Sequence, residues 1–154
     1  MRFHQVKELV DWAADYHRRL ADQYAALADG EVGERVRMAL EYLAEHEQKM
    51  QRELIEYRHD GSDHRAVLEA WFDDPADFPH PPVLERLPEC IDCSSVQNVL
   101  STALTAHRTL QDLYGQRAEL AAGSEERVFF EALARGHEAE VRRIARDMQR
   151  LEDY

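Results

Sequence analysis

The chain has 154 residues, 32% of them charged, with 31 acidic against 19 basic side chains and a formal net charge of −12. That length suits one domain with a sizeable core, and the surplus of carboxylates argues against nucleic acid and anionic membrane surfaces as partners. Charges recur every few residues from Met1 to Trp12 and no stretch is apolar enough to span a bilayer, so neither a signal peptide nor a membrane segment is expected, and a soluble, cytoplasmic protein is.

Four segments carry helical periodicity. The first, 3–29, repeats its apolar residues at Val6, Leu9, Val10, Ala13, Leu20, Tyr24 and Leu27. The second, 32–58, has a seam of Leu40, Leu43, Glu47, Met50, Leu54 and Tyr57, with a carboxylate where the pattern calls for a leucine. The third, 95–122, carries Val96, Val99, Leu100, Ala103, Leu104, Leu110, Leu113 and Tyr114. The fourth, 124–151, carries Val128, Phe130, Leu133, Val141, Ile144, Met148 and Leu151. Short breaks, with Gly30 and Gly33 in one and Gly123 and Ser124 in the other, predict two antiparallel helical hairpins. The glycines suit helix C-termini, and Ser124 makes half a capping box with Arg127.

Between the hairpins, 59–94 holds all five prolines and cannot be regular throughout. The run "HRAVLEAWF" predicts one or two turns of helix. Trp71, Phe72 and Phe78 are expected to pin this crossover to the bundle.

The two hairpins are similar to each other. His17 and His107 stand 90 residues apart (107 − 17), and the same offset relates Leu20 to Leu110, Asp22 to Asp112, Tyr24 to Tyr114, Gly33 to Gly123, Arg37 to Arg127, Glu41 to Glu131, Leu43-Ala44 to Leu133-Ala134 and Arg52 to Arg142, without a gap. A duplicated hairpin joined by a long crossover predicts an all-α four-helix bundle, in a single domain 1–154.

Polar residues interrupt the inner stripes at equivalent places. His17 lies between Ala13 and Leu20, and His107 between Ala103 and Leu110; Glu47 matches His137, and Met50 matches Glu140. A buried carboxylate must find a hydrogen bond, a proton or a cation. Three imidazoles and a second carboxylate at one level would meet that need, with or without a metal ion.

These positions resemble the ferritin-like superfamily, in its rubrerythrin-like branch. That family places one Glu on each of helices 1 and 3, followed seven residues later by Tyr, and Leu-Ala-x-x-Glu-x-x-His on helices 2 and 4. Here His17…Tyr24 and His107…Tyr114 stand for the first motif. Leu43-Ala44…Glu47…Met50 and Leu133-Ala134…His137…Glu140 stand for the second. Only Glu47 keeps the family's residue type in place. Two carboxylates balance one divalent ion rather than two, so the resemblance implies a single-metal site of His17, Glu47, His107, His137 and Glu140. Iron, zinc or manganese suits such ligands, with redox or oxygen chemistry open to it and no organic cofactor implied. The competing expectation is a non-catalytic binding or scaffold bundle whose ancestral site has decayed to a polar network.

Tyr24 and Tyr114 are expected to pack or to hydrogen-bond inner carboxylates, and His46 to face outward. Cys90 and Cys93 form one CxxC, expected to pack the crossover. Phe129 and Phe130 exceed one stripe's needs, which predicts a homodimer.

Overall fold

The computed structural model describes residues 3–59, 65–72 and 92–153. Five helices lie within them: α1 Val6–Ala28, α2 Glu34–His59, α3 Arg65–Glu69, α4 Val96–Glu119 and α5 Ser124–Glu152. The four long helices are the four predicted from periodicity, each within a few residues of its expected ends. Their apolar stripes meet in one cluster that includes Leu9, Leu20, Leu40, Leu43, Leu110 and Ile144, all fully buried. Burying a leucine or isoleucine side chain stabilises by roughly 1.5–3 kcal/mol, so this seam drives the packing.

Cross-helix pairs set the directions. Arg58 bonds Asp11 and Arg37 bonds the Ala28 carbonyl, so α1 and α2 are antiparallel. Gln97 reaches Gln149, so α4 and α5 are too. Tyr42 meets Asp147 while Tyr57 meets Phe129, so α2 and α5 are also antiparallel. It follows that α2 and α4 run the same way, and the crossover must travel back along the bundle. A 26-residue α2 is about 39 Å long, which explains why so long a connection is needed.

The helix ends meet expectation only in part: Gly30 directly follows the Asp29 C-cap of α1, its amide donating to the Leu27 carbonyl. Among the described residues no glycine has positive φ, and α1 ends on Asp29 in right-handed geometry. Gly33 and Gly123 stand at helix starts instead. Their carbonyls accept the Arg37 and Arg127 amides, at 2.9 and 3.1 Å. Ser124 is thus the first helical residue of α5 rather than its cap. Ser95, by contrast, caps α4 by accepting the Asn98 amide.

The start of the crossover is held by α3 and the segment behind it. The Val6 amide donates to the Ala70 carbonyl and the Phe72 amide to the His4 carbonyl. In this extended run neighbouring side chains point opposite ways. Phe72 therefore turns inward, stacks near Phe130 and lies under the Arg117 guanidinium, whereas Trp71 is 67% exposed. Phe78 lies outside the described residues.

Candidate functional site

Each long helix contributes one polar residue to a buried cluster at mid-bundle. His17 comes from α1, Glu47 from α2, His107 from α4 and His137 from α5. Both hairpins deliver their pair with the same spacing of 30 residues, 17 with 47 and 107 with 137. That is the duplication expressed in space.

His17 Nδ1 lies 2.5 Å from Glu47 Oε2. His107 Nε2 lies 2.6 Å from Glu47 Oε1, but the contact is out of line, and neither atom makes a hydrogen bond. His107 Nδ1 and His137 Nε2 share a proton across 3.0 Å. Burial alone would push the Glu47 carboxyl up, but the His107 and His17 imidazoles outweigh it and hold it well below the usual carboxylate range. Burial, helped by the charges of His107 and His17, pushes His137 down to about 3, so it is neutral at pH 7.

Glu140, the fifth predicted ligand, is not brought to this cluster. Its carboxylate is taken by Arg143 at 2.6 Å, Lys49 at 3.0 Å and His46 at 3.2 Å. Burial would raise its pKa, yet the bonds to Lys49 and the charges of Lys49 and Arg143 lower it. His46 was expected at the surface. It instead packs against Tyr42, ring centroids 4.3 Å apart and planes tilted by 41°, and closes on Glu140. The spacing of Glu140 and Arg143, one helical turn, is the one sequence signal for this capture.

The two tyrosines pack rather than hydrogen-bond. Tyr24 and Tyr114 are buried, and neither hydroxyl has a partner among the described residues. Burial, with the Glu47 charge, raises both phenols, so they stay protonated. Phe129 and Phe130 are both buried within the chain, against Tyr57 and Phe72. Cys93 is half-buried against the core, and Cys90 lies outside the described residues.

A cleft of about 320 Å³ opens between α2 and α5 beside the cluster. His17, His137 and Tyr114 line it, with Met50, Leu54 and Leu133. Its width has a source in the repeat. Ala132 and Gly136 on α5 stand where α2 has Tyr42 and His46. A Cβ at Gly136 would meet nothing within 4 Å, although glycine within a helix costs about 1 kcal/mol relative to alanine.

The residues test the metal sets differently. A di-iron set does not fit: one carboxylate reaches the centre, and Glu140 is already neutralised. Among the described residues no three of His, Cys, Asp and Glu form a ready-made cage. A single ion fits His17, Glu47 and His107 if the donors part. Ligands about 2.1 Å from a tetrahedral ion stand about 3.4 Å from each other, wider than the contacts here.

The class defined by fold and site is an all-α, ferritin-like bundle with a buried histidine–glutamate cluster. Its fold matches the crystal structure of a Thermotoga maritima protein described, provisionally, as a ferritin-like diiron-carboxylate protein: TM-score 0.56 over 97% of this chain and 98% of that one, at 14% identity. No family model matches the sequence, and neither does any curated protein. Among the described residues no helix is long and apolar enough to cross a membrane.

Proposed function

We propose that this protein binds one divalent metal ion through His17, Glu47 and His107, with His137 holding His107 in orientation. One observation carries the reading. The buried Glu47 carboxylate has an imidazole nitrogen against each oxygen, His17 Nδ1 at 2.5 Å and His107 Nε2 at 2.6 Å. A buried carboxylate faced by a ring nitrogen on each oxygen is a donor set that a positive centre can draw together, and two imidazoles with one carboxylate match the preferences of iron, zinc or manganese. The bond from His107 Nδ1 to His137 is the kind of outer contact that fixes a ligating ring.

A bound ion would supply Lewis-acid or redox chemistry. The chain's own part is to orient His107, to keep His137 neutral, and to keep the site buried. The reading includes descent from the rubrerythrin-like branch, supported by Tyr24 and Tyr114 seven residues after His17 and His107. It also includes a homodimer, supported by the outward apolar side chains of Met38 and Val128, which are equivalent under the repeat. Sedimentation equilibrium tests the dimer.

Elemental analysis of untagged protein tests the metal. The expected result is about one ion per chain, lost in Glu47→Gln and His107→Gln. Trace metal that these substitutions leave unchanged defeats it. The capture of Glu140 by Lys49, Arg143 and His46 favours a second reading, a non-catalytic bundle whose ancestral site has decayed. A chelator would then leave the melting temperature unchanged, whereas a resident ion stabilises the fold that holds it.

A further inference from the structure

We propose that the cleft between α2 and α5 binds a small organic cation, an ammonium group carried on an apolar body. Its described lining carries three carboxylates, Glu53, Glu56 and Glu140, beside the imidazoles of His17 and His137 at the inner end, with no lysine or arginine among them. Glu140 is neutralised by its own partners, and Glu53 has Lys49 at 3.9 Å. Glu56 is exposed, has no ion-pair partner among the described residues, and is the anchor for an ammonium. An anion would meet only repulsion there.

Behind that mouth the walls are apolar or aromatic. Met50, Leu54 and Leu133 suit an alkyl chain, and the faces of Tyr57 and Tyr114 suit a cation or the carbons next to it. The inner end is polar. His17, His137 and Tyr114 line it; Tyr114 is 98% buried, and its hydroxyl has no partner among the described residues. A buried hydroxyl left unpaired is costly, so it calls for a ligand atom or a water. The lining is about evenly divided between polar and apolar surface, which suits a ligand that is charged at one end and apolar along its body, and the volume is within the usual range for a ligand pocket.

The opening is also built rather than left over. Packing does not require glycine at 136, because a Cβ there contacts nothing. The equivalent places in the other hairpin hold a tyrosine and a histidine, and there the seam is shut.

The test is titration calorimetry on full-length, chelator-treated protein, with hexylamine, 1-hexanol, hexanoate and 6-amino-1-hexanol as probes. Because no metal is present, its failure is separate from failure of the metal assignment. Saturable binding of hexylamine is expected, at least about tenfold tighter than 1-hexanol, with none of hexanoate. Gly136→Leu should abolish it by filling the cleft, and Glu56→Gln should weaken it about tenfold. Tyr114→Phe should weaken 6-amino-1-hexanol and leave hexylamine unchanged. Equal binding of alcohol and amine, binding of hexanoate, or full affinity in Gly136→Leu or in the surface variant Glu56→Gln would overturn the proposal.

Discussion

The two halves of the α2–α5 seam began as copies and now differ. In one half Tyr42 donates to Asp147 across 2.8 Å, and His46, Lys49 and Arg143 close on Glu140. In the other, the residues equivalent to Tyr42 and His46 are Ala132 and Gly136, and the seam gapes beside His17 and His137. The backbone is common to both, so the difference lies in side-chain volume and charge. One half has become a polar clasp that also uses up a candidate ligand. The other gives the buried cluster its access. A duplicated fold can divide labour in this way without changing its helices.

The strongest way to break the contrast is at the point where the halves meet. Glu47→Leu leaves two imbedded imbalances, His17 and His107, each deprived of the carboxylate it touches. Breaking one partner of a buried charge network costs about 3–5 kcal/mol, so metal-free Glu47→Leu should lose that much in urea unfolding. Replacing His17, Glu47, His107 and His137 together by leucine or methionine should recover most of it. A single substitution as stable as the parent would mean that the carboxylate is idle.

Acid comes next. In the unfolded chain His137 takes a proton near the ordinary histidine value of 6.5, whereas the fold holds it down to about 3. The unfolded state therefore binds the proton first, and stability is complete above pH 6.5 and falls as pH drops toward 3. One proton gives a slope of up to about 1.4 kcal/mol per pH unit, or about 2 kcal/mol lost by pH 5. Glu47 adds a loss of the same sign below 4.5. Denaturation of metal-free protein at pH 7 and pH 5 measures the slope, and His137→Gln should flatten it between those values. A slope that His137→Gln leaves intact would place the titrating group elsewhere.

Which of these features the sequence could reveal depends on their range. Helical periodicity is local, so α1, α2, α4 and α5 could be read from single stripes, and the offset of 90 tied His17 to His107 and Glu47 to His137. The fate of Glu140 is set by another helix. It depends on the register of α2 against α5, which brings Lys49 and His46 opposite it, and no stripe on α5 encodes that register. The same holds for Phe129: a second phenylalanine beside Phe130 looks surplus on one helix and is absorbed by Tyr57 on another. Trp71 and Phe72 were indistinguishable by composition, and only the extended backbone at that point decided which of them turned inward.

On the closed side, Tyr42→Phe and Glu140→Gln test the clasp. Tyr42→Phe removes a neutral-to-charged hydrogen bond that is part-buried, for an expected loss of about 1 kcal/mol. Glu140→Gln weakens contacts to Lys49 and Arg143, which are 40% and 43% exposed, so solvent screening limits the loss to about 1–2 kcal/mol. Melting curves at low and high salt separate the two. The Glu140→Gln effect should shrink with salt and that of Tyr42→Phe should not.

The smallest effect bears on the open side, and its sign is what matters. Gly136 lies well inside α5, and the space where its Cβ would stand is empty. Alanine there should gain about 0.5–1 kcal/mol from helix propensity alone, with no clash to subtract. Gly115, inside α4 and equally uncrowded, should gain a similar amount, and it lies away from the histidine cluster. If both alanines stabilise the fold, glycine at 136 is a cost that the packing does not demand. The opening beside His137 is then what the residue serves. If Gly136→Ala destabilises while Gly115→Ala does not, some contact made only by the backbone at 136 holds the seam apart, and the contrast between the two halves originates in the main chain rather than in the side chains.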